Sequence, residues 1–407
     1  MHKQNIWFIN HHALTPDMSG GTRHYDFAKE FVKRGHKVTI IAASFHYAKF
    51  EEMKVYEENQ NYLLENIDGI DFIWFKTPAY VGNGVARVKN MLSFMYQLIN
   101  TIPKLNLDKP DVILGSSVHL FAVYGAYRLS KVYNTKFIME VRDLWPQTLI
   151  DMGISKWHPF IVLLGFLEKY LYKKADIIVT NLPEAHRYIV GLGIDKKNIE
   201  WISNGVDLNN VQYKEYLPSK TLTIIYTGAI GIANNLGLLV DVAKKLEARK
   251  EIEFQIVGNG PQKMELIKKA KTMHLSNIEF IDAVPKNEIS SLLAKADILY
   301  FNLKDSPVFK YGISSNKLFD YMAAGRVVIF SASSPNNPIK EAKGGFSIPP
   351  ESLVDLEKAI EDIYKLSIGE RKIMGENNRR YVEKNYSINV LVDKFEQIIK
   401  KLKEADV

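Results

Sequence analysis

The chain of 407 residues contains no cysteine, which excludes disulfide bonds and metal sites built from thiolates. It also lacks an apolar run of the roughly 18–20 residues that a membrane-spanning helix needs. The start of the chain runs directly into a strand and shows no signal-peptide pattern. We therefore expect a cytoplasmic protein, with the inner face of the cell membrane as an alternative location.

Positive charge is in excess but is not concentrated in one place. The net charge is +7, with 46% hydrophobic and 24% charged residues, which is typical of a globular protein. The basic residues do not form one tract with interleaved aromatics, so nucleic acid is the weakest choice of partner. An anionic membrane surface or an anionic substrate fits the charge better.

Buried strands alternate with amphipathic helices along the whole chain. The length and this alternation predict an α/β fold with two domains and parallel sheets. Residues 47–65 show no regular period, 83–87 are predicted to be a loop, and 209–220 are predicted to be an interdomain linker. The predicted strands lie at 5–9, 38–42, 70–75, 111–115, 136–141, 176–180 and 199–202, and then at 222–226, 253–257, 279–281, 298–301 and 327–330.

The most informative stretch is 311–325, which begins as a polar loop and continues as an amphipathic helix that Gly325 ends. A capped helix start leaves backbone N–H groups free and carries the positive end of the helix dipole, so it can bind a phosphate or diphosphate. Lys317 adds a mobile cation, and Asp320 offers a carboxylate to a pair of hydroxyls. This pattern suggests a nucleotide sugar; the alternative is an ordinary capped helix with both side chains in solvent. The capping candidates are Ser314, Ser315 and Asn316.

Glycine-bearing loops follow several strands at one edge of each predicted sheet. Gly20 and Gly21 precede the first helix, but the stretch is not the Gly-x-Gly-x-x-Gly fingerprint, so a nicotinamide or flavin cofactor has little support. A glycine turn without any ligand is the alternative. In the second half the loops at 228–235, 258–261 and 282–285 are placed to share one extended ligand.

Arg142 and Asp143 follow the strand at 136–141, at the carboxyl end where open α/β sheets place their ligands. The alternative is a structural Arg–Asp pair. The apolar, aromatic-rich stretch 157–172 is by default a core helix. Its basic neighbours also fit an interfacial helix that contacts anionic lipid.

Several motifs occur together in a fixed order, and their combination resembles the family 4 retaining glycosyltransferases of the GT-B fold. Arg142–Pro146 and Ser315–Phe319 look more narrowly like the branch that builds capsule and O-antigen repeat units, including fucosamine transferases. The five ordered motifs are Gly20-Gly21, Arg34–Val38, Ser203–Asp207, Gly258–Pro261 and Asp320–Gly325.

The resemblance implies two Rossmann-like domains that face each other across a cleft. Residues 1–205 would bind the acceptor and 206–387 the nucleoside diphosphate sugar, while the last helix, 388–407, would pack back on the first domain. It also implies transfer with retention, UDP with an N-acetylated deoxyhexosamine as donor, and a polyprenyl-diphosphate-linked or glycan acceptor. No cofactor is expected, and the lack of an Asp-x-Asp motif predicts that no metal is required.

The chain departs from the family at several positions. Gly312 stands where many members have a glutamate, and 228–235 lacks their Arg and Lys. Ser116 and Ser117 stand near a family histidine, with His119 close by. The catalytic candidates are Lys317, Arg142 and Asp143. The donor-binding candidates are Gly20, Gly21, Gly228, Ala229, Ile230, Asn235, Gly258, Asn259, Ala283, Val284, Ser314, Ser315, Asn316, Lys317, Leu318 and Asp320. The acceptor-binding candidates are Ser116, His119, Arg87 and Trp145.

Two rival functions remain open at this point. A GT-B sugar-nucleotide epimerase would bind the same donor but needs acid and base side chains that the sparse histidines and Gly312 do not favour. A nucleotide-sugar-binding partner without activity gains support from the missing glutamate, arginine and lysine. Assays of donor hydrolysis and transfer separate these alternatives.

Overall fold

The computed structural model describes residues 3–18, 20–117, 119–211, 213–217 and 220–404, apart from the side chains of residues 286 and 287. The chain forms two compact units. The first consists of Met1–Ser203 with Leu391–Val407, and the second of Asn204–Val390. The expected α/β fold with parallel sheets is confirmed. None of the helices in the described ranges is both long and apolar enough to cross a membrane.

The first unit is built on an eight-stranded sheet in the order β10-β9-β8-β7-β1-β2-β6-β5. Every neighbouring pair is parallel except β5 and β6. The strand order reverses at β1, which lies between β7 and β2. The strands are β1 Asn5–Ile9, β2 Lys37–Ala43, β3 Phe45–His46, β4 Glu51–Glu52, β5 Tyr62–Ile67, β6 Ile70–Phe75, β7 Val112–Ser117, β8 Lys136–Val141, β9 Ile177–Thr180 and β10 Ile199–Trp201.

Six helices lie wholly within the first unit. The second of them begins at Val85, so the expectation of a loop over 83–87 is wrong, and Arg87 lies in the first helical turn. The helices are α1 Arg23–Lys33, α2 Val85–Asn100, α3 Leu120–Val132, α4 Gln147–Asp151, α5 Pro159–Lys174 and α6 Ala185–Gly191.

The second unit has a six-stranded, wholly parallel sheet in the order β13-β12-β11-β14-β15-β16. The strands are β11 Leu222–Thr227, β12 Ile252–Val257, β13 Ile278–Ile281, β14 Ile298–Asn302, β15 Val327–Ser331 and β16 Gly345–Ile348. Its helices are α7 Gly237–Lys245, α8 Lys263–Thr272, α9 Lys286–Leu293, α10 Asn316–Ala323, α11 Pro338–Ala342, α12 Leu353–Lys365 and α13 Ile368–Tyr386. Helix α14, Ile388–Glu404, begins at the end of this unit and continues into the first.

Alternate residues of β15 enter two separate hydrophobic clusters. Val327 and Ile329 belong to one cluster, and Val328 and Phe330 to the other. Successive side chains of a strand point to opposite faces, so both faces of this sheet are covered. This burial explains why the central strands β14 and β15 are nearly continuous apolar runs rather than alternating ones.

The final helix, α14, joins the first unit from Leu391 onward. Its Glu396 carboxylate lies 2.9 Å from the Arg34 guanidinium and 3.1 Å from His36 Nε2. Phe395 packs edge-on against Phe31 of α1. The motif Arg34–Val38 therefore includes two side chains that hold the end of the chain.

The predicted interdomain linker at 209–220 belongs to the second unit instead. Val211 and Tyr216 are buried there, the Tyr216 hydroxyl donates to Asp297, and Arg326 Nη1 donates to the Lys214 carbonyl at 3.1 Å. The polar composition that suggested a linker reflects a segment held by hydrogen bonds. The units divide earlier, between Ser203 and Asn204.

Glu168 is a buried carboxyl group on α5, only 1% exposed. The hydroxyls of Tyr172 and Tyr188 donate to its two oxygens at 3.0 and 2.8 Å. Burial raises the pKa of Glu168 to about 8, although the two hydrogen bonds oppose this. The carboxyl group is therefore mostly protonated in the folded protein at neutral pH.

We predict that Glu168 makes the protein less stable as the pH rises. Between the ordinary glutamate pKa and about 8, the folded protein keeps a proton that the unfolded chain has released, so the free energy of unfolding falls across that window. Glu168→Gln removes this titration. From about pH 5 to about pH 8, the melting temperature should therefore drop more in the wild type than in the variant. The exposed Glu58→Gln is the control; equal pH slopes in all three proteins would contradict the prediction.

Candidate functional site

The stretch 311–325 places free backbone donors at the start of α10. Ser315 is the N-cap residue, and its side chain accepts no capping hydrogen bond. Within the described chain, the N–H groups of Asn316 and Lys317 have no hydrogen-bond acceptor. The Leu318 amide, by contrast, donates to the Ser315 carbonyl, and the Leu318 side chain is buried. Asn316 and Lys317 thus keep free amides, whereas that of Leu318 is paired, and donor binding by Leu318 stays a prediction.

Two asparagines hold the loop that leads into α10. The Asn204 main-chain N–H donates to Ser314 Oγ at 2.8 Å, and its side-chain amide donates to the Ser314 carbonyl at 2.6 Å. Asn336 makes a matching pair with the backbone of Ile313, at 2.8 and 2.9 Å. Ser314 thus positions the loop, and the Ser203–Asp207 motif supplies its partner.

Lys317 is held in place and is not the mobile cation that the sequence suggested. Its ammonium donates to the Tyr226 hydroxyl at 2.8 Å and to Asn234 Oδ1 at 3.2 Å. It also lies 4.2 Å from the centre of the Tyr226 ring. A methyl group added at Gly228 would come within 3.4 Å of Nζ, so the lysine runs along the loop that follows β11. Desolvation lowers the pKa of Lys317 to about 7.

The two glycine loops of the second unit pack backbone against backbone. The Gly228 amide donates to the Val257 carbonyl and the Ile230 amide to the Asn259 carbonyl, both at 2.9 Å. Both amides are therefore paired within the protein, and donor binding by Gly228 and Ile230 stays a prediction. Among the amides of Gly228, Ala229 and Ile230, only that of Ala229 lacks an acceptor within the described residues.

Gly258 and Gly260 are required by this packing. A Cβ at Gly258 would lie 1.9 Å from the Gly228 carbonyl oxygen, and one at Gly260 would lie 2.4 Å from that of Ile230. Both glycines also have positive φ, at +148° and +159°. Gly258 thus supports the loop beneath Lys317 and does not serve as an approach path for a ligand.

The other donor-binding candidates of this unit surround the same sheet edge. Asn235 is in the left-handed region at φ +42° and accepts a hydrogen bond from Asn302 through its carbonyl. Ala283 is exposed and Val284 half-buried in the loop after β13. Asp320 lies one helical turn beyond Lys317 on α10 and is half-buried.

Three buried histidines lie at the strand-order reversal of the first unit, after β1 and β7. His119 caps α3: its Nδ1 accepts the Ala122 amide at 3.2 Å, and its Nε2 is 2.6 Å from His11 Nδ1. The Nε2 of neutral His119 must therefore carry the proton and donate it to His11. His12 stacks on His11 at 4.4 Å between ring centres. Burial lowers the pKa of all three rings, that of His12 to about 3.

These rings are the one group among the described residues whose geometry could hold a metal ion, with ligand atoms within 4.8 Å of one another. Two observations oppose a metal there. The Nδ1 lone pairs of His11 and His119 already accept hydrogen bonds, and Arg87 and Arg142 lie close enough to help lower the pKa of His12. A positive environment repels a cation and favours an anion.

Ser116 lies inside a buried ionic cluster and does not face an acceptor as expected. Its hydroxyl donates to Glu140 Oε2 at 2.6 Å, and His24 Nε2 lies 2.8 Å from the same oxygen. Arg23 Nε donates to the other oxygen at 2.9 Å. Burial alone would raise the pKa of Glu140, but Arg23 and His24 hold it well below its usual value. His119 is likewise fully buried, so it too has no exposed atom for an acceptor.

The exposed candidates of the first unit lie around the histidines. Among the described residues no ion pair joins Arg142 to Asp143, which is solvent-exposed. Trp145 is half-buried, and Arg87 donates from Nη1 to Asn83 at 2.5 Å. Before α1, Gly20 has φ +143°, and a Cβ there would lie 2.4 Å from Leu14, while the next residue, Gly21, is half-buried.

Comparison with known proteins matches both halves of the chain to glycosyltransferase families. Residues 19–210 match the family described as Glycosyltransferase Family 4, and residues 221–365 match Glycosyl transferases group 1. An uncharacterized glycosyltransferase of Methanocaldococcus jannaschii is 22% identical over 246 residues, which are 58% of this chain and 60% of that relative's length. Both halves of the chain thus resemble glycosyltransferases, and the chain spans about three fifths of that relative's length.

Solved structures show that this chain has the GT-B fold. Sucrose-phosphate synthase from Thermosynechococcus elongatus aligns over 99% of this chain and 100% of its own, with a TM-score of 0.75 at 14% identity. The Anabaena protein HepE, solved in complex with UDP-glucose, aligns over 98% of this chain and 100% of its own, with a TM-score of 0.66 at 12% identity.

Sequence reasoning missed the residues that fix the position of Lys317. Tyr226 is the penultimate residue of a buried strand, and Asn234 lies in a short 3₁₀ turn, so neither carries a motif. It also missed His12, whose burial could not be read from a loop sequence. The only available signal was the place of these residues in the fold. The loop with Asn234 follows β11 and the loop with His12 follows β1, and each strand lies at a reversal of strand order.

We predict that Gly258→Ala destabilises the protein and disturbs the support beneath Lys317. The added methyl group would overlap the Gly228 carbonyl in a backbone conformation that alanine rarely adopts. A loss of about 1–3 kcal/mol in the free energy of unfolding is expected by chemical denaturation. Gly369→Ala on α13, where the nearest atom is 4.0 Å away, is the control and should change it by less than about 0.5 kcal/mol. Equal losses in both variants would argue against the close packing.

Proposed function

We propose that this glycosyltransferase moves a sugar from a nucleoside diphosphate donor to an acceptor with retention of configuration. The observation that carries the proposal is that the first turn of α10 has both free amides and a lysine whose ammonium is fixed by Tyr226 and Asn234. Together they form a fixed cation and a helix N-terminus, the combination that suits a diphosphate. The likeness to HepE, which was solved with UDP-glucose, supports UDP as the nucleotide.

The main catalytic task is to stabilise the charge that develops on the leaving diphosphate. As the bond from the anomeric carbon to the phosphate oxygen breaks, an acceptor oxygen bonds to the same face of that carbon. The acceptor's proton then goes to a phosphate oxygen. Preorganised donors aimed at such charge are worth on the order of 2.7–4 kcal/mol each. In the proposal, Lys317 and the amides of Asn316 and Lys317 fill this role without a metal ion.

Asp320 is proposed to accept hydrogen bonds from the ribose hydroxyls. It lies three residues after Lys317, so the two side chains extend from neighbouring turns of one helix. We further propose an N-acetylated deoxyhexosamine as the sugar and a glycan on a lipid diphosphate as the acceptor, in the assembly of capsule or O-antigen. The motifs Arg142–Pro146 and Ser315–Phe319 support this choice. A thermal-shift screen of UDP-, GDP- and dTDP-sugars tests the donor.

We predict that donor binding depends on the charge of Lys317. In the free protein Lys317 is protonated below its pKa of about 7, whereas above it a bound diphosphate must draw in a proton. The affinity for UDP-glucose, measured by calorimetry, should therefore fall as the pH rises from about 6 to about 9. Lys317→Ala should lower kcat by about a hundredfold or more and abolish this pH dependence.

Asp320→Ala is the companion variant for that experiment. It should weaken UDP-glucose binding at every pH while leaving the pH profile unchanged, because the ribose contact does not titrate in this range. A Lys317→Ala enzyme with wild-type turnover would remove the lysine from the mechanism. An unchanged dissociation constant in Asp320→Ala would refute the ribose contact.

Helix α5 exposes an apolar face, although its opposite face is packed in the core. Leu163, Phe166 and Tyr170 are 54%, 73% and 42% exposed at helical spacing, and Trp157, just before the helix, is 77% exposed. Lys169, Lys173 and Lys174 are exposed on the same helix. Such a helix suits an anionic lipid surface. We propose that the enzyme contacts the inner face of the cell membrane here, which would bring it to a lipid-linked acceptor.

We predict that replacing Trp157 and Phe166 together by serine weakens vesicle binding by about tenfold or more, since each buried aromatic contributes about 1.5–3 kcal/mol. Co-sedimentation with phosphatidylcholine vesicles, with and without phosphatidylglycerol, measures this. Val55→Ser, at an apolar position 92% exposed elsewhere on the first unit, should bind as the wild type does. Equal binding to neutral and anionic vesicles would count against the membrane contact.

A further inference from the structure

We propose that His12, Arg87 and Arg142 of the first unit form a binding site for the phosphate or diphosphate group of the acceptor. That the bound group belongs to the acceptor rests on the proposed function, whereas the anion site itself is inferred from the geometry of the first unit alone. The site lies beside the loops that follow β1 and β8, on the edge of the sheet where the strand order reverses. Open α/β sheets bind their ligands at that edge.

His12 carries the clearest sign of a missing ligand. Its side chain is buried, with 9% of the residue exposed, and neither ring nitrogen has a hydrogen-bond partner among the described residues. A buried polar group without a partner costs free energy, so it is rare unless a ligand or water completes it. The ring is held between His11, stacked at 4.4 Å, and Tyr47, at 5.1 Å between ring centres. Its orientation is therefore fixed by packing.

Two arginines add charge to this place. The Nε atoms of Arg87 and Arg142 are both buried, and both lack a partner within the described chain. Both guanidinium groups lie near enough to His12 to lower its pKa. The neighbouring buried carboxylate, Glu140, is already paired with Arg23 and His24. Arg142 adds to the positive charge that lowers the pKa of Glu140, and it opposes the burial that raises the pKa of Asp143. Neither Arg87 nor Arg142 forms an ion pair within the described residues.

The chemistry of the three side chains selects a phosphate. Guanidinium groups offer donors in a planar fork that matches phosphate oxygens, and neutral His12 adds a single N–H. A sugar hydroxyl would need acceptors as well, and a metal ion would be repelled. The site is also close in sequence to the proposed membrane contact, because the loop that carries Arg142 leads through α4 into α5, the helix with the exposed apolar face. A lipid diphosphate would supply both an anion for the arginines and a lipid for that face.

The test uses inorganic pyrophosphate as probe, titrated calorimetrically into the full-length protein saturated with UDP, so that the second unit is occupied. Arg87→Gln, Arg142→Gln and His12→Ala should each weaken pyrophosphate binding, the arginine variants by about tenfold or more, the scale of a lost charge-assisted hydrogen bond. Each should leave UDP binding unchanged. Arg128→Gln, an exposed arginine on α3, is the control and should match the wild type.

The outcomes separate this proposal from the donor site. If Arg87→Gln and Arg142→Gln bind pyrophosphate as well as Arg128→Gln does, the anion site is wrong. If they lose UDP as well, the arginines belong to the donor and the acceptor assignment is overturned. If no UDP binds to any protein but pyrophosphate still depends on these arginines, the donor proposal fails while the anion site stands.

Discussion

The second unit depends on one close contact between two pieces of backbone. The loop after β12 approaches the loop after β11 so closely that the Gly258 position has no room for a Cβ beside the Gly228 carbonyl. Hydrogen bonds from Gly228 and Ile230 to the β12 side fix the same contact. Because Lys317 runs along Gly228, the position of its ammonium follows from this contact. Gly228 and Gly258 thus determine where the Lys317 ammonium lies through the packing of the two loops.

The first unit is organised by a different constraint, the neutralisation of buried charge. Glu140 is surrounded by Arg23, His24 and Ser116, each within hydrogen-bonding distance, so that its negative charge is satisfied inside the domain. Arg23 also donates to the carbonyls of Ile202 and Ser203, where the first unit ends. The Nε atoms of Arg87 and Arg142 and both ring nitrogens of His12 remain buried without a hydrogen-bond partner among the described residues. A surplus of positive groups at one place is what an anionic substrate requires.

The sequence predicted those parts of the fold whose signal is local. Strands such as Asn5–Ile9 and Ile70–Phe75 were predicted with their observed bounds, because both faces of the sheet are covered and every residue is apolar or nearly so. Strand β5 was missed because it is an edge strand with exposed residues in alternation. Helix α13 was missed because its buried face contains Gly375 and Asn378 and so lacks an apolar period.

Only the part of the site that lies within the segment 311–325 could be predicted from the sequence. The helix start at Ser315 and the stop at Gly325 followed from capping rules. The partners of Lys317 did not, since Tyr226 and Asn234 are separated from it by more than eighty residues of sequence. Nor did the sequence distinguish a buried histidine from an exposed one, so His119 and Ser116 were assigned to an acceptor that their burial keeps them from touching.

The departure from the family at Gly312 has a backbone reason. Gly312 ends the 3₁₀ turn Pro307–Tyr311 with φ +113° and ψ 173°, a conformation that a residue with a side chain rarely adopts. A glutamate there would strain the loop whose next residue, Ile313, is fixed by Asn336. The loop 228–235, where many family members carry an Arg and a Lys, has neither, and its Gly228 and Ile230 amides are used in packing against the next glycine loop. In the proposed mechanism the charge for a diphosphate therefore comes from the helix, through Lys317 and the free amides beside it. The lowered pKa of that lysine follows from its desolvation against the loop.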